Sequence, residues 1–310
     1  MSDAALATEE SSPEVLASPG PVPRPRRRIL VTGAGGMLGN DLVPVLIAAG
    51  HDVFARPRAE LDITSGADVS RSFREVQPNV VVNCAAFTRV DDCESDARAE
   101  QVNAGGVRVL AENCRRHGAG LVQVSTDFVF DGSKGVPYEE DDAPRPLSAY
   151  GRSKRHGEEE ALRVPSGLVV RSSWLFGSGG WNFIEAILKQ VESGRKRLTV
   201  VKDQRGKPTG TPDLAEAILA LVEAGAVGIY HFANRGEVTW FDFAREILEL
   251  SERGDVEVDP TDSATLNRPA TRPAYSVLDS SRYERVTGRP IRHYRDALVE
   301  YLAARRRPEA

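Results

Sequence analysis

Cysteine is scarce in this chain of 310 residues: only Cys84, Cys93 and Cys114. They form no C-x-x-C pair and sit beside no histidine cluster. That excludes a disulfide framework and a cysteine-rich zinc site, and it fits a reducing cytoplasm. The five histidines, at 51, 117, 156, 231 and 293, are scattered, so the residues themselves predict no metal site. Aromatic residues are 6% of the chain, no basic stripe interleaves with them, and the formal net charge is -5, so nucleic acid is not an expected partner. No apolar run approaches the length that spans a bilayer, and no membrane association is expected. The start, "MSDAALATEESSPEVLASPGPVPRPRRR", lacks the basic and apolar regions of a secretory signal. Residues 1–25 read as a disordered tail.

What is present is a regular alternation. Short apolar runs such as "RILVTG", "NVVVNCAA", "GLVQVSTDFVF" and "GLVVRSSWLFG" alternate with amphipathic stretches such as "ADVSRSFREVQP" and "SAYGRSKRHGEEEALR". That pattern implies βαβ units: an α/β, Rossmann-type doubly wound parallel sheet with helices on both faces. Ser148 is placed to cap the helix that follows it. The dinucleotide-binding domain is expected over 26–176, with segments around 199–232 returning to it. The remainder of 177–310 reads as a smaller C-terminal substrate-binding subdomain, rich in loops such as "VDPTDSATLNRPATRPAYSVLD".

"TGAGGMLGNDL" carries Gly33, Gly36 and Gly39 directly after the first strand and at the start of a helix. Gly33 suits the tight turn, Gly36 a close backbone approach to a pyrophosphate, and Gly39 close helix–strand packing. Met37 and Leu38 belong to the helix start, whose free N–H groups and positive potential favour phosphate. At the end of the second strand, "DVFARPRAELDIT" has Arg56, with Arg58 behind it, in place of the acid that holds the ribose hydroxyl of NAD. An arginine there pairs with a 2′-phosphate, so NADP(H) is favoured over NAD(H). Asp62 and Ile63 border the adenine in this reading. Cys84, Ala85 and Ala86 are small enough to pass along the cofactor, and Thr88 offers a hydroxyl to cofactor or substrate.

"AYGRSK" places Tyr150 and Lys154 four residues apart, on one helix face. Together with the glycine turn, this spacing resembles the extended short-chain dehydrogenase/reductase family. "VNCAAFTRVDDCESD", "STDFVFDG", "RSSWLFG", "KDQRGKPT", "GIYHFAN" and "RPAYSVLD" narrow the likeness to its nucleotide-sugar 4-ketone reductases, from about Arg28 to the last helix. The resemblance implies NADPH-dependent reduction of the C4 ketone of dTDP-6-deoxy-L-lyxo-4-hexulose to dTDP-L-rhamnose. Tyr150 is then the proton donor. Lys154 lowers its pKa and bonds the nicotinamide ribose, and Thr126 bonds the ketone oxygen, with Ser125 as the alternative hydroxyl. Thr88, Asp127, Phe128, Trp174, Arg205, Thr209 and Arg272 are the residues implied at the substrate, although core packing is a rival role for Trp174 and surface exposure one for the two arginines. The resemblance also implies an upstream epimerase that supplies the substrate, a homodimer, and Mg²⁺ in some members, where Asp41 stands at one ligand position. Phe128 departs from the family's S-T-D-Y-V-F and removes one hydroxyl from the sugar site. The alternatives are an epimerase or dehydratase, against which the missing glutamate after Asp127 argues, and a dinucleotide-binding regulatory subunit, against which Thr126, Tyr150 and Lys154 argue.

Overall fold

The runs RILVT, VVVN and LVVRS are short, β-branched and apolar. In the computed structural model, which describes residues 26–306, they form strands buried along nearly their whole length. These are β1 (Arg28–Thr32), β3 (Val80–Asn83) and β5 (Gly167–Ser172). With β2 (Asp52–Arg56), β4 (Gly120–Thr126) and a last strand, Gly228–His231, they make a six-stranded parallel sheet. The order across it is 228–231, β5, β4, β3, β1, β2. The order reverses beside β1, and the C-terminal ends of β1 and β3 border the crevice where ligands bind in such sheets.

Helices cover both faces. Helix α1 (Met37–Ala48) and the helix Thr211–Glu223 pack one face through Leu42, Leu46, Leu214 and Ile218. Helix α2 (Gly66–Val76), the helix Val107–His117 and the helix Ala149–Leu162 pack the other through Phe73, Leu110 and Ala161. Ser65 caps α2 by accepting from the Asp68 N–H, and Gln77 ends it with φ of 46° just before Pro78. The expected cap at Ser148 is present: its Oγ accepts from the Gly151 N–H at 3.1 Å.

A second core lies C-terminal to the sheet, around Phe176, Ile187, Phe243, Ile247 and Leu298. It is built by the helices Phe183–Glu192, Trp240–Leu250 and Tyr294–Arg305 and by a parallel strand pair. One strand of that pair, Arg197–Val201, falls at the start of the segment expected to return to the main sheet. It pairs instead with Glu257–Thr261, and only Gly228–His231 joins the sheet. The expected tail, residues 1–25, lies outside the described residues.

Candidate active site

The glycine turn sits where β1 meets α1. Gly33 has φ of +65°, and a side chain there would stand 2.5 Å from the Ala85 backbone nitrogen. The β1 turn and the loop after β3 therefore touch, backbone to backbone. A cavity of about 480 Å³ opens over this junction, lined by Gly33, Gly35 and Gly36, by Arg58, Asp62 and Ile63, and by Cys84, Ala85 and Ala86. Bare backbone at the glycines, the start of α1 and a guanidinium at the far wall fit a dinucleotide. Leu38 points into the apolar core, Gly39 is packed against Ala34, and Met37 lies against Gly180 and Asn182; these three offer their backbone and not their side chains. The arginine assignment shifts as well. Arg56 is engaged with Glu60 at 3.4 Å and Glu75 at 4.0 Å, while Arg58 lines the cavity. Asp62 accepts from the Thr64 N–H and hydroxyl, bonds that hold its carboxyl below the usual carboxylate range.

A polar ladder runs under the crevice. The Thr32 hydroxyl donates to Asn83 Oδ1, and Asn83 Nδ2 donates to Gln123 Oε1 at 2.7 Å. Gln123 Nε2 then donates to the Val124 carbonyl at 2.8 Å, and Lys154 Nζ donates to the same carbonyl at 2.6 Å. The ladder joins residues in direct register on neighbouring strands. Burial brings the Lys154 ammonium down to about 8, against the pull of Glu158. Glu158, one turn further along the same helix, is itself buried. It takes two bonds of 2.8 Å from the Arg171 guanidinium and one of 2.6 Å from the Ser125 hydroxyl. Ser125, the alternative hydroxyl, is thus bonded to Glu158, while the Thr126 hydroxyl acts on Tyr150.

Tyr150 is half-buried, with the Phe128 ring edge-on at 5.8 Å between centroids. Burial pushes its phenol up, and the Thr126 hydroxyl, as hydrogen-bond partner, pulls the other way. The Lys154 ammonium, one turn along the same helix, is turned to the Val124 carbonyl. A phenol held neutral is nonetheless the form a proton donor needs. Thr126 Oγ1 also donates to Asp127 Oδ1 at 3.0 Å, and Asp127 Oδ2 accepts from the Ser276 hydroxyl. Burial raises the Asp127 carboxyl to about 7 against those two bonds.

Phe128 forms part of a second cavity, of about 490 Å³, with Phe183, Val200, Trp240, Arg268 and Arg272 among its walls. Arg272 reaches it while held by Asp91 through two contacts of 3.0 and 2.9 Å. Trp174 stacks flat on Trp240, centroids 3.5 Å apart, and so stands behind the cavity wall. Arg205 and Thr209 are corrections. Arg205 pairs with Glu237 near the surface, and Thr209 is fully buried, paired with Leu175 in a short strand. Thr88 is exposed and lines neither cavity.

Two features escaped the sequence. Trp240 lies outside the quoted motifs, and Arg268 stands four residues before the motif that begins at Arg272, in the proline-rich loop. Asn103 sits in a π-helical turn, Gln101–Gly106, that widens the helix entering Val107–His117. Its amide holds both the N–H and the carbonyl of Phe87 and donates to the Ser153 hydroxyl at 3.0 Å. The one available signal was the Gly105–Gly106 pair inside a helical pattern. Asp41 accepts from Thr211, and among the described residues no group of three or more His, Cys, Asp or Glu gathers to hold a metal, so nothing supports Mg²⁺. No helix among them is long and apolar enough to cross a membrane.

A family model described as the RmlD substrate binding domain matches residues 27–307. The chain is 47% identical over 290 residues to dTDP-4-dehydrorhamnose reductase of Streptomyces griseus, across 91% of this chain and 95% of that protein. It is 42% identical over 276 residues to dTDP-4-keto-6-deoxy-D-glucose reductase of Streptomyces niveus, across 88% and 96% respectively. The crystal structure of a dTDP-4-dehydrorhamnose reductase from Bacillus anthracis in complex with NADP matches with a TM-score of 0.86 at 33% identity, covering 90% of this chain and 99% of that one.

Proposed function

Because the chain belongs to the dTDP-4-dehydrorhamnose reductase family of extended short-chain dehydrogenase/reductases, we propose that it reduces the C4 ketone of dTDP-6-deoxy-L-lyxo-4-hexulose to dTDP-L-rhamnose with NADPH. The bound nicotinamide supplies the hydride. The backbone from Gly33 to Gly36 and the start of α1 hold the pyrophosphate, and Arg58 holds the 2′-phosphate with Arg56 beside it. Lys154 holds the nicotinamide ribose. Tyr150 gives its proton to the ketone oxygen, which the Thr126 hydroxyl orients. Phe128, Trp240 and Arg272 line the place of the nucleotide sugar. An epimerase acting earlier supplies the L-configured ketone.

The observation that supports this reading is the meeting of three groups from two segments: Thr126 at the end of β4, and Tyr150 with Lys154 one turn on along the helix Ala149–Leu162, whose Tyr150 ring meets Phe128 just after Thr126. A second substrate has a specific argument. The Streptomyces niveus relative acts on the D-configured 4-keto-6-deoxyglucose, and Phe128 offers no hydroxyl to fix the sugar's configuration. NADPH oxidation followed with each ketosugar separates the two. Turnover of the L-configured substrate, reduced about 10²–10⁴-fold in Tyr150→Phe, is expected. Turnover confined to the D-configured sugar would replace the substrate, and equal rates in Tyr150→Phe would overturn the chemistry.

A further inference from the structure

The loop that leaves β3 walls the dinucleotide cavity with Cys84, Ala85 and Ala86 and then runs on to Asp91. There a carboxylate reaches across to the C-terminal loop. Asp91 Oδ1 accepts from the Ala270 N–H at 3.2 Å and from Arg272 Nη1 at 3.0 Å, and Oδ2 accepts from Arg272 Nη2 at 2.9 Å. Arg272 Nη1 also donates to the Ala270 carbonyl at 2.9 Å. A guanidinium gripped through both terminal nitrogens is fixed in direction as well as in place. The segment it belongs to, 263–272, forms one wall of the 490 Å³ cavity. The start of that segment is held within its own subdomain, where Asp203 accepts from the Ser263 N–H at 2.9 Å and from its hydroxyl at 2.7 Å. Its end is held by Asp91, from the dinucleotide-binding domain.

The turn carrying Asp91 is tied on its other side to the helix of Tyr150. Three residues on, Glu94 Oε1 accepts at 2.7 Å from the N–H of Ala149, the first residue of the helix Ala149–Leu162. The stretch 91–94 is therefore a brace, with Arg272 at one end and the residue before Tyr150 at the other. Phe128, edge-on to Tyr150, lines the same cavity as Arg272. We propose that Asp91 is a positioning residue for the reduction: it holds Arg272 and the wall 268–272 in a fixed relation to Tyr150, so that a nucleotide sugar seated on that wall presents its ketone to the phenol. The inference rests on the reading that seats the nucleotide sugar in this cavity. Contacts remote from the reacting carbon raise the rate when they fix that carbon beside the groups that act on it. Asp91 acts through Arg272 and the Ala270 backbone. Its neighbour Asp92 is exposed and pairs with Arg89 at 3.1 Å, which makes it a control of the same charge on the same turn.

The test is steady-state kinetics with NADPH and the L- or D-configured ketosugar, whichever is turned over. Asp91→Ala is expected to lower kcat/KM for the sugar about tenfold, as loss of one charge-assisted bond does, with little change in the KM for NADPH. Asp91→Asn keeps an acceptor for the Ala270 N–H but loses the charge that grips Arg272, and falls between Asp91→Ala and the unaltered protein. Asp92→Ala leaves both constants unchanged. Arg272→Ala lowers kcat/KM at least as far as Asp91→Ala, and the double variant is no slower than Arg272→Ala, because the two residues act as one. Three results overturn the inference and leave the reductase reading intact: full additivity in the double variant, a KM for NADPH that rises as much as the KM for the sugar, or an unchanged or raised kcat/KM in Asp91→Ala beside a lowered one in Arg272→Ala. An Arg272→Ala variant as active as the unaltered protein overturns the inference together with the seating of the sugar on this wall. No turnover of either sugar by the unaltered protein overturns the inference and the reductase reading together.

Discussion

Gly151 lies directly beneath Phe128: a methyl group at Gly151 would stand 2.2 Å from the Phe128 carbonyl oxygen. The helix that carries Tyr150 therefore rests against the turn that follows Thr126, with no side chain between them. Two effects oppose each other in Gly151→Ala. Alanine favours the helix interior by about 1 kcal/mol. The clash is with backbone, and overpacking of this kind costs about 1–3 kcal/mol. The clash is expected to win, lowering the melting temperature by a few degrees. The same shift moves Tyr150 from Thr126, so kcat is expected to fall at least tenfold while the KM for NADPH changes little. Equal kcat with a lowered melting temperature would show that the contact is structural only.

Arg58 is the guanidinium on the wall of the dinucleotide cavity, and Arg56 is tied to two glutamates. Arg58→Ala is expected to raise the KM for NADPH about tenfold, the value of one charge-assisted bond. The KM for NADH should hardly move. Arg56→Ala should have the smaller effect of the two. A reversed ranking in steady-state kinetics would return the 2′-phosphate to Arg56.

His231 is buried beside Arg171, and burial first and then that guanidinium bring its imidazole down to about 3. Its Nδ1 donates to the Tyr138 carbonyl at 3.1 Å, leaving Nε2 to accept from Arg171. The unfolded chain takes up a proton here at its ordinary 6.5, and the folded chain does not. Stability is therefore lost as pH falls from about 6.5 towards about 3. Asp127 works in the opposite sense, since its raised carboxyl binds a proton more readily when folded. His231→Gln preserves one donor and one acceptor without the titration. Its urea midpoint is expected to decline less steeply than that of the unaltered protein between neutral pH and about pH 4. Parallel declines would show that other groups govern acid unfolding.

The parts of the site that rest on local pattern were legible in the sequence. The glycine turn follows a buried strand, Ser148 caps its helix, and the four-residue spacing sets Tyr150 and Lys154 on one face. Assignments that needed a side chain's direction were less secure. Arg56 ends β2 and Arg58 follows two residues on, and only the fold shows which guanidinium meets the cavity and which meets Glu60 and Glu75. Thr209 stands among motif residues yet turns into a short parallel pair with Leu175. Trp240 and Arg268 carry no local signature, because a cavity wall assembled from the segments 183–201, 240 and 263–272 is a product of long-range packing. Lys154 is a similar case: the spacing brings it to the face of Tyr150, and the Val124 carbonyl sets where its ammonium points.

The Thr32–Asn83–Gln123 ladder makes the sheet a ruler. Neighbouring strands keep a fixed separation of about 4.8 Å, and each rung joins residues already in register. Thr32 immediately precedes the glycine turn, and the last rung shares its carbonyl with Lys154. The distance from the phosphate turn to the lysine is thus marked off in strand spacings, two of them from β1 to β4, or about 10 Å. Loops elsewhere in the domain are free to lengthen without altering that measure, whereas a slip of register in β3 would break it at both rungs at once.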